Sequence, residues 1–153
     1  PQYDFALARR GDVYRIQNQL ELALADFNAA LVIDPKNVLA LASRGDVYLM
    51  QDKLELALAD FTAALVIDPQ YAFALASRGD VYLQQKKWEE ALADFNEAEK
   101  IDPQLAANPG FITEKNEVRR VIAMHGLFAM SRGEKRPRDH SEQPANKCKL
   151  TRI

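Results

Sequence analysis

The apolar residues of the first two thirds of the chain recur at spacings of three and four, the period of helices that pack on one side. One stripe is Leu7, Gly11 and Tyr14, and the next is Ala23, Phe27 and Ala30. A polar run at residues 17–19 separates the stripes. The second ends at Asp34, because the residue before a proline is pushed out of the α region. The pattern predicts a pair of short helices.

This helix pair is repeated every 34 residues. Arg-Gly-Asp-Val-Tyr at residues 10–14 returns at 44–48 and 78–82, and the first two copies are identical at 24 of 34 positions. Neither short helix can bury its apolar stripe alone, so we expect the copies to stack into a solenoid. The repeats are residues 4–37, 38–71 and 72–105.

A glycine occupies the same interior helical position in every repeat: Gly11, Gly45 and Gly79. Glycine costs a helix roughly 1 kcal/mol relative to alanine. Its presence in all three copies predicts that two helices approach too closely there for a larger side chain. The Arg-Gly-Asp tripeptide around it is similar to the integrin-recognition tripeptide. That motif acts from an exposed loop, so its helical position here argues against this function.

The repeated positions resemble the tetratricopeptide repeat family, whose pattern is Trp-x2-Leu-Gly-x2-Tyr, then Ala-x3-Phe, then Pro. The matching residues of the first repeat are Leu7, Arg10, Gly11, Tyr14, Ala23, Phe27 and Pro35, and the other repeats match at the same positions. Leucine replaces the family's tryptophan, and arginine replaces its leucine. The resemblance implies an all-α fold, a right-handed superhelical solenoid of antiparallel helix pairs with a C-terminal capping helix.

The arginine in the family's leucine position needs a partner, because it places a charge beside the helix packing surface. An aspartate accompanies it in every repeat, so we expect one ion pair within each repeat. The predicted pairs are Arg10 with Asp26, Arg44 with Asp60, and Arg78 with Asp94.

The segments outside the three repeats have different patterns. Residues 1–3 share the phase of residues 69–71, so we expect them to end a preceding repeat. A helical period returns in residues 106–131, which we interpret as a region with a capping helix. Its stripe contains Val118, Val121, Ile122 and His125. Residues 132–153 lack an apolar period, and we interpret them as a disordered basic tail.

Composition excludes several classes of protein. The chain is 48% hydrophobic and 27% charged, and no apolar run approaches the roughly 20 residues of a membrane-spanning helix. One cysteine excludes an intramolecular disulfide, and two histidines leave little for a zinc site. The sequence offers no nucleophile–base pair and no phosphate-binding loop. We predict a cytoplasmic protein, with the nucleus as the alternative, that is not an enzyme and uses no cofactor or metal.

In the family, the first helices of successive repeats line a concave groove that binds peptides or partner helices. Mapped by repeat position, this groove contains a ladder of aspartates with apolar neighbours. Its residues are Phe5, Arg9, Asp12, Arg15, Leu39, Ser43, Asp46, Leu49, Met50, Phe73, Ser77, Asp80, Leu83 and Gln84. Such a groove favours a basic, partly apolar segment of a protein or peptide. Alternatively, the aspartates are solvated residues copied by duplication.

Some domains of the family bind the C-terminal carboxylates of heat-shock chaperones through a clamp of lysine, asparagine and arginine. At the clamp positions this sequence has Ala8, Asp12, Ser43, Phe73 and Ser77. Because aspartates repel a carboxylate, the sequence argues against a chaperone tail as the ligand.

Charge is distributed unevenly along the chain. Residues 1–105 hold 10 Lys+Arg against 17 Asp+Glu, a net −7, and residues 106–153 hold 10 against 5, a net +5, for the total of −2. A basic cluster in the tail resembles half of a two-part nuclear import signal and could bind nucleic acid or another anionic partner, or alternatively belongs to a tail that only keeps the chain in solution. It consists of Arg132, Lys135, Arg136 and Arg138. The alternatives to an interaction scaffold are a segment that works through this tail and a regulatory segment of a larger enzyme. The oligomeric state stays open.

Overall fold

The computed structural model describes residues 3–131, which form seven α-helices and one 3₁₀ turn. The helices are α1 (Tyr3–Ile16), α2 (Leu20–Ile33), α3 (Val38–Met50), α4 (Leu54–Ile67), α5 (Ala72–Gln84), α6 (Trp88–Ile101) and α7 (Pro109–Ser131), with the 3₁₀ turn at Pro103–Ala107. These residues contain no strand, so the all-α prediction is confirmed. The paired helices pack on each other, and α2 joins α3 as α4 joins α5, which gives the predicted helical solenoid.

The turns between helices repeat as closely as the helices do. Within each repeat, one residue of the turn adopts the left-handed conformation: Asn18, Asp52 and Lys86, with φ of 58°, 59° and 60°. Each second helix ends one residue before the aspartate that precedes a proline. The aspartate side chain then accepts a hydrogen bond from the backbone N–H two residues later, as Asp34 does from Lys36 at 2.9 Å. This bond holds the chain in the turn toward the next helix.

The centre of each repeat is a fully buried phenylalanine that faces a glycine. A Cβ atom added to Gly11 would lie 2.7 Å from Cε1 of Phe27, and one added to Gly79 would lie 2.6 Å from Cε1 of Phe95. The equivalent distance from Gly45 to Phe61 is 3.0 Å. Carbon atoms in protein interiors pack at about 3.5–4.0 Å, so the predicted close approach of the helices is confirmed.

The predicted arginine–aspartate pairs are confirmed in all three repeats. The Nε atom of each arginine donates to Oδ2 of its aspartate at 2.6–2.7 Å, and Nη2 donates to Oδ1 at 2.7–2.8 Å. The three aspartates are Asp26, Asp60 and Asp94, each 7% exposed. These two-pronged bonds satisfy the buried carboxylates and raise the pKa of the Arg10, Arg44 and Arg78 guanidinium groups.

The apolar core has two clusters. One contains residues of the first repeat with Ala40 and Val47 of the second, and the other runs from Leu41 through Phe61 and Phe95 to Phe111. Two side-chain hydrogen bonds cross between the first repeat and the second, Arg15 to Asp46 at 2.6 Å and Arg44 to Asn28 at 2.8 Å. Within the first repeat, Asn37 donates to Asp4 at 2.9 Å. Polar contacts therefore accompany the apolar contacts of Ala40 and Val47 at the boundary between these repeats.

The described chain divides into two compact units, the first ending at Ile122 and the second beginning at Ala123. In the first unit, the ring of Phe111 packs edge-on against Phe95 with centroids 5.4 Å apart. Val118 is fully buried, and Lys115, 4% exposed at its side chain, pairs with Glu99.

In the second unit, residues 123–131 continue α7, and the hydroxyl of Ser131 donates to the carbonyl of Phe128 at 2.8 Å. His125, which the sequence placed on the buried stripe with Val118, is exposed. That placement was wrong, because the buried stripe of α7 stops before this residue. Residues 1–2 and the predicted tail at 132–153 lie outside the described residues.

Candidate binding groove

The first helices of the repeats lie side by side, because α1 contacts α3 and α3 contacts α5. Asp12, Asp46 and Asp80 occupy the same position on these three helices, and each is half-buried. The aspartates predicted as a ladder thus stand on neighbouring helices. Their electrostatic effects on one another reach from one helix to the next, since Asp12 acts on Asp46 and Asp46 acts on Asp80.

A cation from the chain itself occupies one end of this ladder. Nη1 of Arg15 lies 2.6 Å from Oδ2 of Asp46, and Nε of Arg15 lies 3.4 Å from Oδ1 of Asp12. One guanidinium group therefore spans the first two carboxylates. The equivalent positions of the second and third repeats are Leu49 and Leu83, so the repeat supplies no further cation at this position.

Asp80 is the third carboxylate, and its environment differs. Its Oδ1 atom is buried and has no hydrogen-bond partner. The pKa of Asp80 is raised to about 8, first by burial and then by the negative charge of Glu114, a hydrogen bond with that carboxyl and the charge of Asp46. Within the described residues, this is the carboxylate most in need of a positive partner.

Asp46 shows what such a partner does. Burial raises the pKa of this carboxyl, and the charge of Asp12 adds to the effect. The charge of Arg15 and its hydrogen bond act in the opposite direction and hold the carboxylate form. The second and third carboxylates thus share a position and a helix face but differ in whether a guanidinium reaches them.

The sequence analysis missed two residues of this region. Glu114 lies 34 residues after Asp80 and continues the ladder into α7. The 34-residue spacing could have revealed Glu114, but the break at residues 108–110 favoured the interpretation of this segment as a cap.

Tyr71 precedes α5 and contacts Phe73 edge-on at 6.0 Å. Burial and then the charge of Asp12 raise the pKa of Tyr71. No repeated pattern marks this loop residue, since Asn37 stands at its position in the preceding repeat.

Apolar side chains flank the aspartates toward the starts of the helices. Phe5 is 51% exposed and Phe73 38%, while Leu39 at the same position of the second repeat is half-buried. The guanidinium carbon of Arg9 lies 5.0 Å from the centre of the Phe5 ring. This end offers aromatic and aliphatic surface to a partner.

The other predicted groove residues divide by exposure. Leu49 and Leu83 are half-buried, and Met50 and Gln84 are exposed beyond them. Ser43 and Ser77 are only 3% and 6% exposed. These two serines offer almost no surface to a partner, because their small side chains pack between the helices.

Residues 3–131 give little support for a metal site or a membrane-spanning segment. No group of three or more His, Cys, Asp or Glu side chains there is arranged to hold a metal ion. None of the helices in this part of the chain combines the length and apolar content that crossing a membrane requires. The basic cluster at Arg132, Lys135, Arg136 and Arg138 lies outside the described residues, so its proposed role in nuclear import or anion binding stays a prediction.

Two stretches of the sequence match repeat families. Residues 11–52 match a family described as TPR repeat, and residues 72–105 match the tetratricopeptide repeat family. No curated protein matches the chain.

Solved structures of similar domains extend the comparison over most of the described chain. The first TPR domain of Spaghetti (RPAP3), bound to the HSP90 peptide SRMEEVD, is 23% identical, with 80% of this chain and 94% of that chain covered and a TM-score of 0.73. The Arabidopsis OM64 TPR domain is 22% identical, with 78% and 96% covered and a TM-score of 0.71. The second TPR domain of human RPAP3, in complex with the HSP70 peptide SGPTIEEVD, is 27% identical, with 77% and 96% covered and a TM-score of 0.67.

Proposed function

Because this chain belongs to the tetratricopeptide repeat family, we propose that it is a protein-interaction scaffold whose groove along α1, α3 and α5 binds a basic, partly apolar segment of a partner. The observation that carries the proposal is the Asp80 carboxylate, with a buried oxygen that has no partner. A buried acceptor without a donor is costly. A ligand that supplies an N–H group there gains the energy that the free groove lacks.

Arg15 supports the choice of a basic ligand. It demonstrates that one guanidinium fits between successive carboxylates, since it contacts Asp12 and Asp46 at once. Asp80 and Glu114 form the next such pair, and leucines occupy the positions from which the chain could fill it. An arginine or lysine of a partner would take the role there that Arg15 has at the other end.

The apolar part of the ligand has matching surface. Phe73 is 38% exposed and Met50 50%, on either side of the carboxylates. A segment with one cation and apolar residues about one helical turn away would bury these side chains while it pairs with Asp80. The apolar contacts would supply area, and the ion pair would fix the register.

The similar domains that were solved with HSP90 or HSP70 peptides suggest another ligand, whose charge can be compared with the charge of this groove. SRMEEVD and SGPTIEEVD each carry two glutamates and a terminal aspartate. Asp12, Asp46 and the Asp80–Glu114 pair would face such a peptide with like charge, and the clamp positions hold Ala8, Ser43 and Ser77 instead of basic or amide side chains. We therefore propose that this groove does not bind chaperone tails.

Peptide titration tests the proposal. The probe is a fluorescent 12-residue peptide with arginine and leucine at alternating helical spacings, beside a copy with glutamate for arginine and the peptide SRMEEVD. The groove variant is Asp80→Asn with Glu114→Gln. The matched control is Asp52→Asn with Glu89→Gln, which makes the same two residue changes at exposed positions.

We expect the arginine peptide to lose about tenfold or more in affinity on the groove variant, with less than about a twofold change on the control. The two acidic peptides should not bind. Equal losses of affinity on both variants would mean that the effect comes from net charge and not from the groove. Tight binding of SRMEEVD would overturn the choice of ligand.

A further inference from the structure

The outer face of α2 and α4 is apolar although it points away from the core. We use this name for Leu22 and Val32 of α2, Leu56 and Val66 of α4, and the alanines between them. Leu22 is 50% exposed, Val32 84%, Leu56 49% and Val66 78%. In each helix the leucine and the valine are ten residues apart, so both lie on the stripe opposite the buried phenylalanine.

The third repeat has a different outer face. Glu90 stands at the position of Leu22 and Leu56, and Lys100 at the position of Val32 and Val66. Glu97 replaces an alanine and lies 3.3 Å from Lys100. The same fold therefore accepts charged residues at these positions, and internal packing does not require the apolar ones.

An apolar surface of this size is unusual on a protein that acts alone. The exposed fractions sum to an area on the order of 600 Å² over α2 and α4, two helices without backbone contact to each other, which is at the upper end of the apolar patches of typical monomers. Val66 also lines a cleft of about 250 Å³ with Leu65, Leu75 and Arg78, which offers a recess for an apolar side chain.

We propose that the outer face of α2 and α4 binds the same face of a second copy of this chain, in a two-fold symmetric dimer. A two-fold contact needs a surface that complements itself. The sequences of α2 and α4 differ only at Asn28 and Thr62. When a second copy is turned by the two-fold axis, α2 meets α4 of the partner and α4 meets α2, with the same residues in both contacts.

Charge and area both favour this occupant. The outer face contains no basic residue, and its nearest carboxylates are Glu21 and Glu55 at the starts of the helices. A charged partner therefore gains little binding free energy there, whereas a second apolar face gains from the burial of both apolar surfaces. The area approaches the ~800 Å² per partner of standard interfaces, which corresponds to a weak, reversible dimer.

A second exposed apolar region competes for this role at the open side of the first repeat. Val13 is 51% exposed, whereas Val47 and Val81 at the equivalent positions are fully buried. A copy stacked head to tail on that region would have to offer the far side of its third repeat. That surface is covered by Phe111 and Val118 in this chain, so stacking of copies end to end is blocked.

Sedimentation velocity of the full chain tests the dimer. The chain itself supplies the substitutions: Leu22→Glu, Val32→Lys, Leu56→Glu and Val66→Lys give the first two repeats the residues of the third, with no change in net charge. The control is Val13→Lys, which alters the competing region. Circular dichroism and thermal melting establish that each variant is folded.

We expect the unchanged chain to shift from monomer to dimer between roughly 1 and 200 μM, the range of a micromolar dissociation constant. The fourfold variant should stay monomeric over this range, and Val13→Lys should behave as the unchanged chain does. A monomer throughout would overturn the proposal, as would a dimer that survives in the fourfold variant or is lost in Val13→Lys. The peptide titration of the groove is independent of this result.

Discussion

Arg15 and Asp46 belong to different repeats, yet Nη1 of the arginine lies 2.6 Å from Oδ2 of the aspartate. This ion pair does two things. It joins the first repeat to the second, and it occupies one end of the aspartate ladder with a cation from the chain itself. The third carboxylate, Asp80, has no such cation, and this difference between nearly identical repeats underlies the proposed ligand.

Replacing Arg15 by leucine, the residue of the other repeats, should destabilise the chain in a pH-dependent way. Burial raises the folded pKa of Asp46 above 3.8, and Arg15 opposes this rise. Without Arg15 the folded pKa rises further, so the folded state loses more stability as the pH increases past 4. Urea unfolding should show a larger loss for Arg15→Leu at pH 8 than at pH 4. The control Lys36→Gln, which removes an exposed cation, should lose little unfolding free energy at either pH. Equal losses for Arg15→Leu at pH 4 and pH 8 would contradict the role of the charge.

Asp80→Asn should make the stability less dependent on pH. In the folded chain the pKa of Asp80 is about 8, against an ordinary 3.8. Between these values the folded state holds a proton that the unfolded state releases, so the free energy of unfolding falls as the pH rises from 4 to 8. The asparagine variant cannot ionise and escapes this loss. Its melting temperature should exceed that of the unchanged chain at pH 8.5, with little difference at pH 4, whereas Asp52→Asn at an exposed position should leave the pH profile unchanged.

Alanine at the three repeat glycines should destabilise in the order of their contacts. The added Cβ lies 2.6 Å from the phenylalanine at Gly79, 2.7 Å at Gly11 and 3.0 Å at Gly45. Overpacking of this kind costs about 1–3 kcal/mol, against a helix gain of about 1 kcal/mol. Gly79→Ala should lose the most in chemical denaturation and Gly45→Ala the least. Gly126→Ala meets no atom within 4 Å and should gain stability; a gain at Gly79 would refute the packing argument.

The arginine–aspartate pairs should differ in strength with the exposure of the arginine. The side chain of Arg44 is 22% exposed and that of Arg10 58%, while their aspartates are buried almost equally. Arg44→Met should cost about 2 kcal/mol, because it leaves the Asp60 carboxylate without its charged donors. Arg10→Met should cost less, since water reaches that site. A double-mutant cycle with Asp60→Asn isolates the pair; a coupling near zero for Arg44 would contradict this account.

Repetition made the contacts within each repeat predictable. Arg44 and Asp60 could be paired from sequence because both return in every copy, and Gly45 marked a close approach of two helices for the same reason. The contacts between repeats were harder to predict. An arginine stands at the position of Arg15 in only one repeat, so no repeated pattern indicated that its side chain reaches Asp46.

Other misses have the same origin in packing. Ser43 and Ser77 share a helix face with exposed residues, yet the neighbouring helix covers them. Position along a helix gives the direction of a side chain and leaves open the distance to the next helix. Glu114 was missed for the opposite reason, because the break in the sequence at residues 108–110 hid a register that the three-dimensional arrangement keeps.

The apolar core divides into two clusters near the boundary of the first two repeats, and this division affects how the contact between these repeats responds to salt. From Leu41 to Phe111 the apolar core is one cluster, whereas the first repeat joins the second through a separate cluster with Ala40 and Val47 and through the polar contacts of Arg15 and Arg44. Ion pairs weaken as added salt screens them, but apolar contacts do not. We therefore expect added salt to weaken the contact between the first two repeats more than the contacts between the later ones.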